Sequence, residues 1–229
     1  SENREVILCS YGDMLRVPGS GGESLLRARS QGADVRMVYS VTDALALARE
    51  HPQREVVFFA IGFETTTPPT ALALLTAARE ELRNFSVFCN HVLTPAAMGA
   101  ILDVDGARGE RVEIDGFIGP SHVSVVIGSD AYRFCAAQHR KPVVIAGFEP
   151  LDVLQSLLML VRQVNDGRAD IENQYRRAVT PQGNRRAQAV MAQVFTRRAS
   201  FEWRGLGEIP HSALRLADDF AAFDAEQRF

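Results

Sequence analysis

Long apolar runs are missing from this 229-residue sequence. The longest, such as residues 56–61 and 123–127, fall far short of the roughly 20 that a membrane-spanning helix needs, so no membrane segment is expected. Residues 1–20 hold Glu2, Arg4, Glu5, Asp13 and Arg16 where a secretory signal has a basic start and an apolar centre, and a cytoplasmic protein is expected. Cysteine is scarce. Cys9, Cys89 and Cys135 are odd in number and widely spaced, with no CxxC pair, which argues against a disulfide framework and against a self-contained iron–sulfur or zinc site. An excess of one charge is also missing: a net charge of -3 gives no attraction to nucleic acid or to an anionic membrane. The pairs Arg176-Arg177, Arg185-Arg186 and Arg197-Arg198 are interrupted by Asp170, Glu172 and Glu202, as on a solvated helix face or a protein contact. Neither GxxxxGK[ST] nor GxGxxG is present, and Glu23 in the glycine-rich stretch 19–24 would repel a phosphate.

What is there is the composition of an ordinary globular protein, 46% hydrophobic and 23% charged. Six apolar runs, at 6–9, 35–39, 56–61, 85–89, 116–118 and 143–146, are continuous instead of alternating, which suits strands covered on both faces of a parallel sheet. Between them, stretches 42–50, 70–82, 95–102 and 151–163 carry helical signals. The alternation predicts an α/β fold of right-handed βαβ units, Rossmann-like, with parallel strands and flanking helices. Two units look like copies: VVFFAI runs into Gly62, Phe63, Glu64 and then Pro68-Pro69, while VVIA runs into Gly147, Phe148, Glu149 and then Pro150. Two similar lobes follow, residues 1–83 and 84–196, with 197–229 as a polar connector toward a region outside the chain.

The chemistry-bearing residues gather at strand exits. In GFETTTPP, Glu64, Thr65 and Thr66 precede a helix start that a threonine can cap while proline fills the first turn. The same geometry serves a ligand, because open α/β sheets bind outside the carboxyl ends of their strands and free helix-start amides attract anions. After the first strand, Asp13 and Arg16 either pair with each other or present an acid and a guanidinium to a ligand. His91 in CNH and His122 in PSHVS each follow a strand; either is a satisfied structural histidine, or the two face one cleft for proton transfer or metal ligation.

Taken in order, GDMLRVPGS, GADVRMVYS, GFETTTPPTA, CNHVLTP, PSHVSVVIG, KPVVIAGFEPLD, ENQYRR and EWRGLG resemble the HypD family of [NiFe]-hydrogenase maturation factors. The resemblance implies a metallocentre assembly scaffold in place of a self-contained enzyme. On it, with a HypC-type chaperone and cyanide from a HypE-type donor, an Fe(CN)2CO centre is built for the hydrogenase large subunit. It also implies two α/β lobes and a [4Fe-4S] cluster in a third part. The family's Cys-Gly-x-His segment, its Gly-Pro-Gly-Cys-Pro-x-Cys stretch and its C-terminal cluster cysteines have no counterpart here. The chain reads as a central section with no bound cofactor, and its three cysteines inherit no ligand role. Asp13, Arg16, Glu64, Thr65, Thr66 and His122 match family motif positions, and His91 and Glu149 join them as cleft residues. Glu64 and His122 are expected to relay protons or orient an iron-bearing thiolate, with Arg16 and helix-start amides stabilising cyanide's charge. The competing readings are an independent doubly wound enzyme binding a nucleotide or phosphorylated ligand at the strand ends, and a purely structural interaction module.

Overall fold

The computed structural model describes residues 5–103 and 113–229; Glu2 and Arg4 lie outside them. In chain order the elements are β1 (Val6–Ser10), α1 (Leu25–Ser30), β2 (Val35–Met37), α2 (Val41–Glu50), β3 (Glu55–Gly62), α3 (Thr67–Arg79), β4 (Phe85–His91) and α4 (Thr94–Leu102). There follow β5 (Phe117–Pro120), α5 (Ser121–Ile127), α6 (Arg133–His139), β6 (Val143–Ala146), α7 (Pro150–Asn165), β7 (Ile171–Asn173) and α8 (Arg185–Val194). The chain ends on β8 (Phe195–Arg197), β9 (Ser200–Trp203), β10 (Gly207–Pro210), β11 (Leu214–Leu216) and α9 (Ala225–Arg228). All six expected strands are present. They form two parallel sheets, β2-β1-β3-β4 and β5-β6-β7, flanked by helices as an α/β fold requires.

The continuous apolar pattern of β3 follows from cover on both of its faces. Val56, Phe58 and Ala60 face α2 and α3, where Ala44, Leu45, Ala71 and Leu74 are fully or almost fully buried. Removing a side chain such as Phe58 or Leu74 from water stabilises by roughly 1.5–3 kcal/mol each. Helix α3 buries Thr67, Thr70, Ala71, Leu74 and Ala77, the one-face spacing of an amphipathic helix, and α8 covers it in turn. In the second sheet Val143, Val144 and Ile145 of β6 are fully buried.

Two boundaries differ from the sequence-based expectation. Strand β4 pairs with β3 from Val56↔Phe85 to Gly62↔His91, so by hydrogen bonding it goes with the first sheet although it lies past Arg83. Residues 197–229, read as a connector, return to that sheet: Leu214 and Leu216 enter its core, and Ala225 packs on Val6 and Val57. Arg228 ties the end down through Glu55 at 2.7 Å and the Phe85 carbonyl at 3.2 Å. Strands of three or four residues are too short for periodicity to reveal, which is why this cover was read as a tail.

Candidate functional site

At the exit of β3 the chain reverses through Gly62, whose φ of 121° is open to glycine and strained for other residues. A Cβ there would lie 2.5 Å from the Thr66 hydroxyl oxygen, so the turn also needs the missing side chain. Thr66 donates to the Phe63 carbonyl at 3.0 Å, and Thr67 donates to the same oxygen at 3.2 Å. This places Thr65 half-buried in the turn and drives Glu64 inward, to 1% exposure. One carboxyl oxygen of Glu64 accepts the backbone N–H of Thr94, the other accepts its hydroxyl, both at 2.9 Å. Glu64 therefore holds the first residue of α4, joining the exits of β3 and β4 where the helix dipole is positive. Burial pushes its pKa up, and its own N–H and the Thr94 bonds work against that.

His91, the last residue of β4, is fully buried. Its Nε2 lies 3.0 Å from the Thr70 hydroxyl and its ring meets Phe195 edge-on at 5.8 Å. Burial pushes its pKa down to about 4, so the ring is neutral near pH 7 and acts here as a packed, hydrogen-bonded strut.

The second lobe arranges its exit differently. His122 is the second residue of α5, is exposed, and lies against the Phe148 ring at 5.1 Å. Glu149 is the exposed N-cap of α7, 3.7 Å from Arg177. The inward acid is Asp152, which accepts from Arg177 at 3.0 Å and from Gln174 at 2.9 Å. Those two bonds, Arg177 foremost, hold Asp152 down to about 2. Arg177 also lies over the Tyr175 ring at 4.1 Å, a cation–π contact.

Asp13 and Arg16 are both exposed; Asp13 accepts the Met14 N–H at 3.0 Å, and no ion pair joins the two side chains. Nor does a hydrogen bond, ion pair or ring contact join them to Glu64 or His122. The expected residues thus fall into three groups, with Glu64, Thr65, Thr66 and His91 in one, His122 and Glu149 in another, and Asp13 with Arg16 apart. Sequence reasoning missed Thr94 and Thr70, which hold Glu64 and His91, and Asp152 and Gln174, which organise the second exit. The signal was available for Thr94, a threonine before proline at a helix start, and for Asp152 in the repeated GFE unit.

Beside Glu64 lies a cavity of about 580 Å³ with a mainly apolar wall that includes Leu93, Phe134, Met191, Phe195 and Pro210. That is within the size range of small-molecule sites. The β9–β10 hairpin approaches the same exit: Phe63 lies 6.3 Å from Trp203, whose indole N–H donates to Ser212 at 2.7 Å. The glycine-rich stretch resolves as structure, with Ser24 capping α1 and Glu23 pairing with Arg27 at 2.9 Å.

A phosphate would find few donors at these exits. Pro68 and Pro69 remove two of the first three amides of α3, Glu64 occupies the start of α4, and Glu149 and Asp152 flank the start of α7. A metal cluster fits no better. Among the described residues no three of His, Cys, Asp and Glu gather in a way that could hold a metal ion. Cys9 and Cys89 sit on strands separated by β3 and are two residues out of register, about 12 Å apart at the spacing and rise of a sheet, and Cys135 is on α6. All three thiols are buried, and burial pushes them up to about 12, 12 and 11, which keeps them neutral near pH 7. The residues described here do not fit a [4Fe-4S] cluster.

Comparison with known proteins adds a family likeness. The profile of the family described as "HypD: Hydrogenase formation hypA family" matches residues 1–229. The chain is 65% identical over 224 residues to a hydrogenase maturation factor HypD of Azotobacter vinelandii, covering 98% of the chain and 59% of that protein. It is 62% identical over 227 residues to one from Cupriavidus necator, covering 99% and 60%. With one from Escherichia coli K12 the identity is 50% over 226 residues, covering 98% and 59%. The chain spans about three fifths of the length of the curated relatives it matches.

Proposed function

The chain belongs to the HypD family of hydrogenase formation proteins, and on that premise we propose that it forms the cleft wall of a scaffold on which the metal centre of a [NiFe]-hydrogenase is assembled. In this reading the iron and its cyanide and carbon monoxide ligands are cargo. A HypC-type chaperone shares the iron, a HypE-type protein supplies cyanide, and the large subunit of the hydrogenase is the destination.

The observation that carries the proposal is the buried Glu64 carboxyl, fixed by two bonds to Thr94 at the wall of an apolar cavity. A carboxyl fastened in this way keeps its position while cargo enters and leaves, and its raised pKa favours holding a proton at the oxygen. His122 offers a second titratable group at the exit of β5, exposed and steadied by Phe148. Arg16 is exposed and available to an anionic ligand arriving at the exit of β1. Helix starts blocked by proline or carboxylate argue against the rival reading, a nucleotide or phosphorylated ligand at the strand ends.

The test uses the full-length protein in a maturation assay. Glu64→Gln and His122→Ala are expected to abolish hydrogenase maturation while the variant proteins remain soluble and folded by circular dichroism. Normal maturation with both variants would overturn the assignment, and so would loss of soluble protein in both, which would reduce the two residues to structural parts.

A further inference from the structure

We propose that the cavity beside Glu64 is a binding site for a small apolar organic acid, taken up as its carboxylate with the charged head at a mouth formed by Arg197 and His211. The cavity, of about 580 Å³, lies where the two cores meet. Phe195 and Leu214 of its wall belong to the core of the first lobe, while Ile127 and Phe134 pack on the core of the second. Small-molecule sites form preferentially at such junctions, with an apolar wall and a few polar groups that set the orientation of the ligand. The polar side chains in this wall are Glu64, Gln188, Arg197 and His211.

Which of these groups are free decides the charge of the ligand. Both carboxyl oxygens of Glu64 accept from Thr94, and the Gln188 amide nitrogen donates to the carbonyls of Val126 and Gln182, each at 2.8 Å. Arg197 and His211 are exposed, and among the described residues neither side chain makes a hydrogen bond, an ion pair or a ring contact. The neighbouring Arg198, by contrast, pairs with Glu226 at 2.7 Å. The open capacity of the wall is therefore guanidinium and imidazole N–H, to which a carboxylate is complementary and an organic cation is not.

The backbone aims both groups at the mouth. Arg197 lies two residues past Phe195 on β8, hence on the same face of the strand, and it pairs across with Leu214, another residue of the wall. His211 is held at a φ of 54°, a region that strains a residue with a side chain and persists where the surroundings fix it. Its N–H donates to the Ala199 carbonyl at 3.1 Å, and the next residue, Ser212, is fully buried and accepts from Trp203. Arg197 and His211 are exposed while Glu64, Phe195 and Leu214 are buried, so the head of the ligand stays at the mouth and its apolar body points toward Glu64. That orientation keeps the two carboxyl groups apart.

Decanoate is the probe, titrated into the purified chain by calorimetry and followed by methyl NMR of isotope-labelled methionines. One saturable decanoate per chain is expected, with the methyl of Met191, on the cavity wall, shifting as the site fills. Met159 is the internal control: it is on α7, whose outward Leu154 and Leu158 are 62% and 50% exposed and would hold an apolar chain without any site. Arg197→Gln should weaken binding by roughly tenfold, the loss of a charge-assisted hydrogen bond. Ala192→Trp, an exposed position on the wall, should block it, and both variants should keep the parent circular dichroism spectrum. Decyltrimethylammonium, with the same chain and the opposite charge, should bind at least about tenfold more weakly than decanoate. Neither heat nor a Met191 shift, a shift of Met159 without Met191, binding indifferent to both variants, or equal affinity for the cation would each overturn the proposal. The site does not rest on the maturation role, so none of these results bears on that reading.

Discussion

The same three residues, Gly-Phe-Glu, leave the central strand of each sheet, and they do opposite things. In the first lobe Glu64 turns inward and fastens the neighbouring helix. In the second, Glu149 points to water, and the inward position passes to Asp152, three residues on, where the first lobe has the fully buried Thr67. The neighbour explains the exchange. Beside Glu64 the next strand ends on a helix whose first amide and hydroxyl need an acceptor. Beside α7, β7 instead ends on a turn carrying Gln174 and Arg177, cationic and amide donors that an acid one helical turn further in can reach. Even the shared glycine is required for different reasons. Gly62 is required mainly by its backbone, and Gly147 by space, since a Cβ there would lie 2.1 Å from an Asp152 carboxyl oxygen and 2.6 Å from the Tyr175 ring. A repeated motif therefore transmits a position in the fold and leaves the chemistry to whatever lies next to it.

The sharpest way to break this comparison is through the two glycines. Gly147→Ala is expected to cost about 3 kcal/mol, the upper end of overpacking, because a backbone-attached carbon cannot withdraw from Asp152 and Tyr175. Adding Asp152→Ala should relieve part of that cost, a coupling of about 1 kcal/mol between residues in contact. Gly62→Ala should cost roughly 1–3 kcal/mol, and adding Thr66→Ala should relieve less of it, because the strain at a φ of 121° remains after the hydroxyl has gone. Urea unfolding of the four variants and the two pairs measures both couplings. Equal couplings would mean that the glycines serve one purpose after all.

Burial sets the acidity of the histidine at the exit of β4. In the unfolded chain His91 binds a proton as pH falls below about 6.5, whereas in the fold burial delays this until about 4. A folded pKa depressed in this way contributes stability that is complete above 6.5 and is lost as pH falls through 4. The loss should reach about 3 kcal/mol across that window. Replacing His91 with glutamine should flatten the fall in unfolding free energy between pH 6.5 and 4, measured by urea unfolding at a series of pH values. Asp152 acts in a lower window: its pKa is held down to about 2, so its contribution is present above the ordinary carboxylate range and disappears as pH falls toward 2.

Strands and helices were legible where the pattern was long. The six continuous apolar runs locate both sheets, and helices α2, α3, α4 and α7 begin within three residues of their expected starts. What the sequence hid was short or non-local. Strand β7 and the strands after α8 have three or four residues each, below the length at which alternation can be distinguished from chance. The inward acid of the second lobe was hidden for another reason: Asp152 is a core residue only because Arg177, 25 positions later, turns back onto it. The outward leucines of α7 were read as a helix but not as a surface, since periodicity gives a face and cannot say which way it looks.

The finest contrast lies between the two acids themselves. Glu64→Ala leaves the Thr94 amide and hydroxyl without their acceptor and removes the tie between β3 and α4, for an expected cost of about 2 kcal/mol. Glu149→Ala should fall within about 0.5 kcal/mol of the parent, because its side chain is exposed and its nearest cation is 3.7 Å away. The conservative variant adds a sign to the comparison. Burial raises the pKa of Glu64, so its favourable contribution is complete below the unfolded carboxyl pKa and declines as pH rises through the folded value, where a desolvated charge must be kept. Glutamine does not titrate. The destabilisation measured for Glu64→Gln should therefore be largest near pH 4 and shrink toward pH 7. A Glu64→Gln penalty that instead grew with pH would mean that the Thr94 bonds and the dipole of α4 outweigh desolvation, and that Glu64 stands charged at the cavity wall.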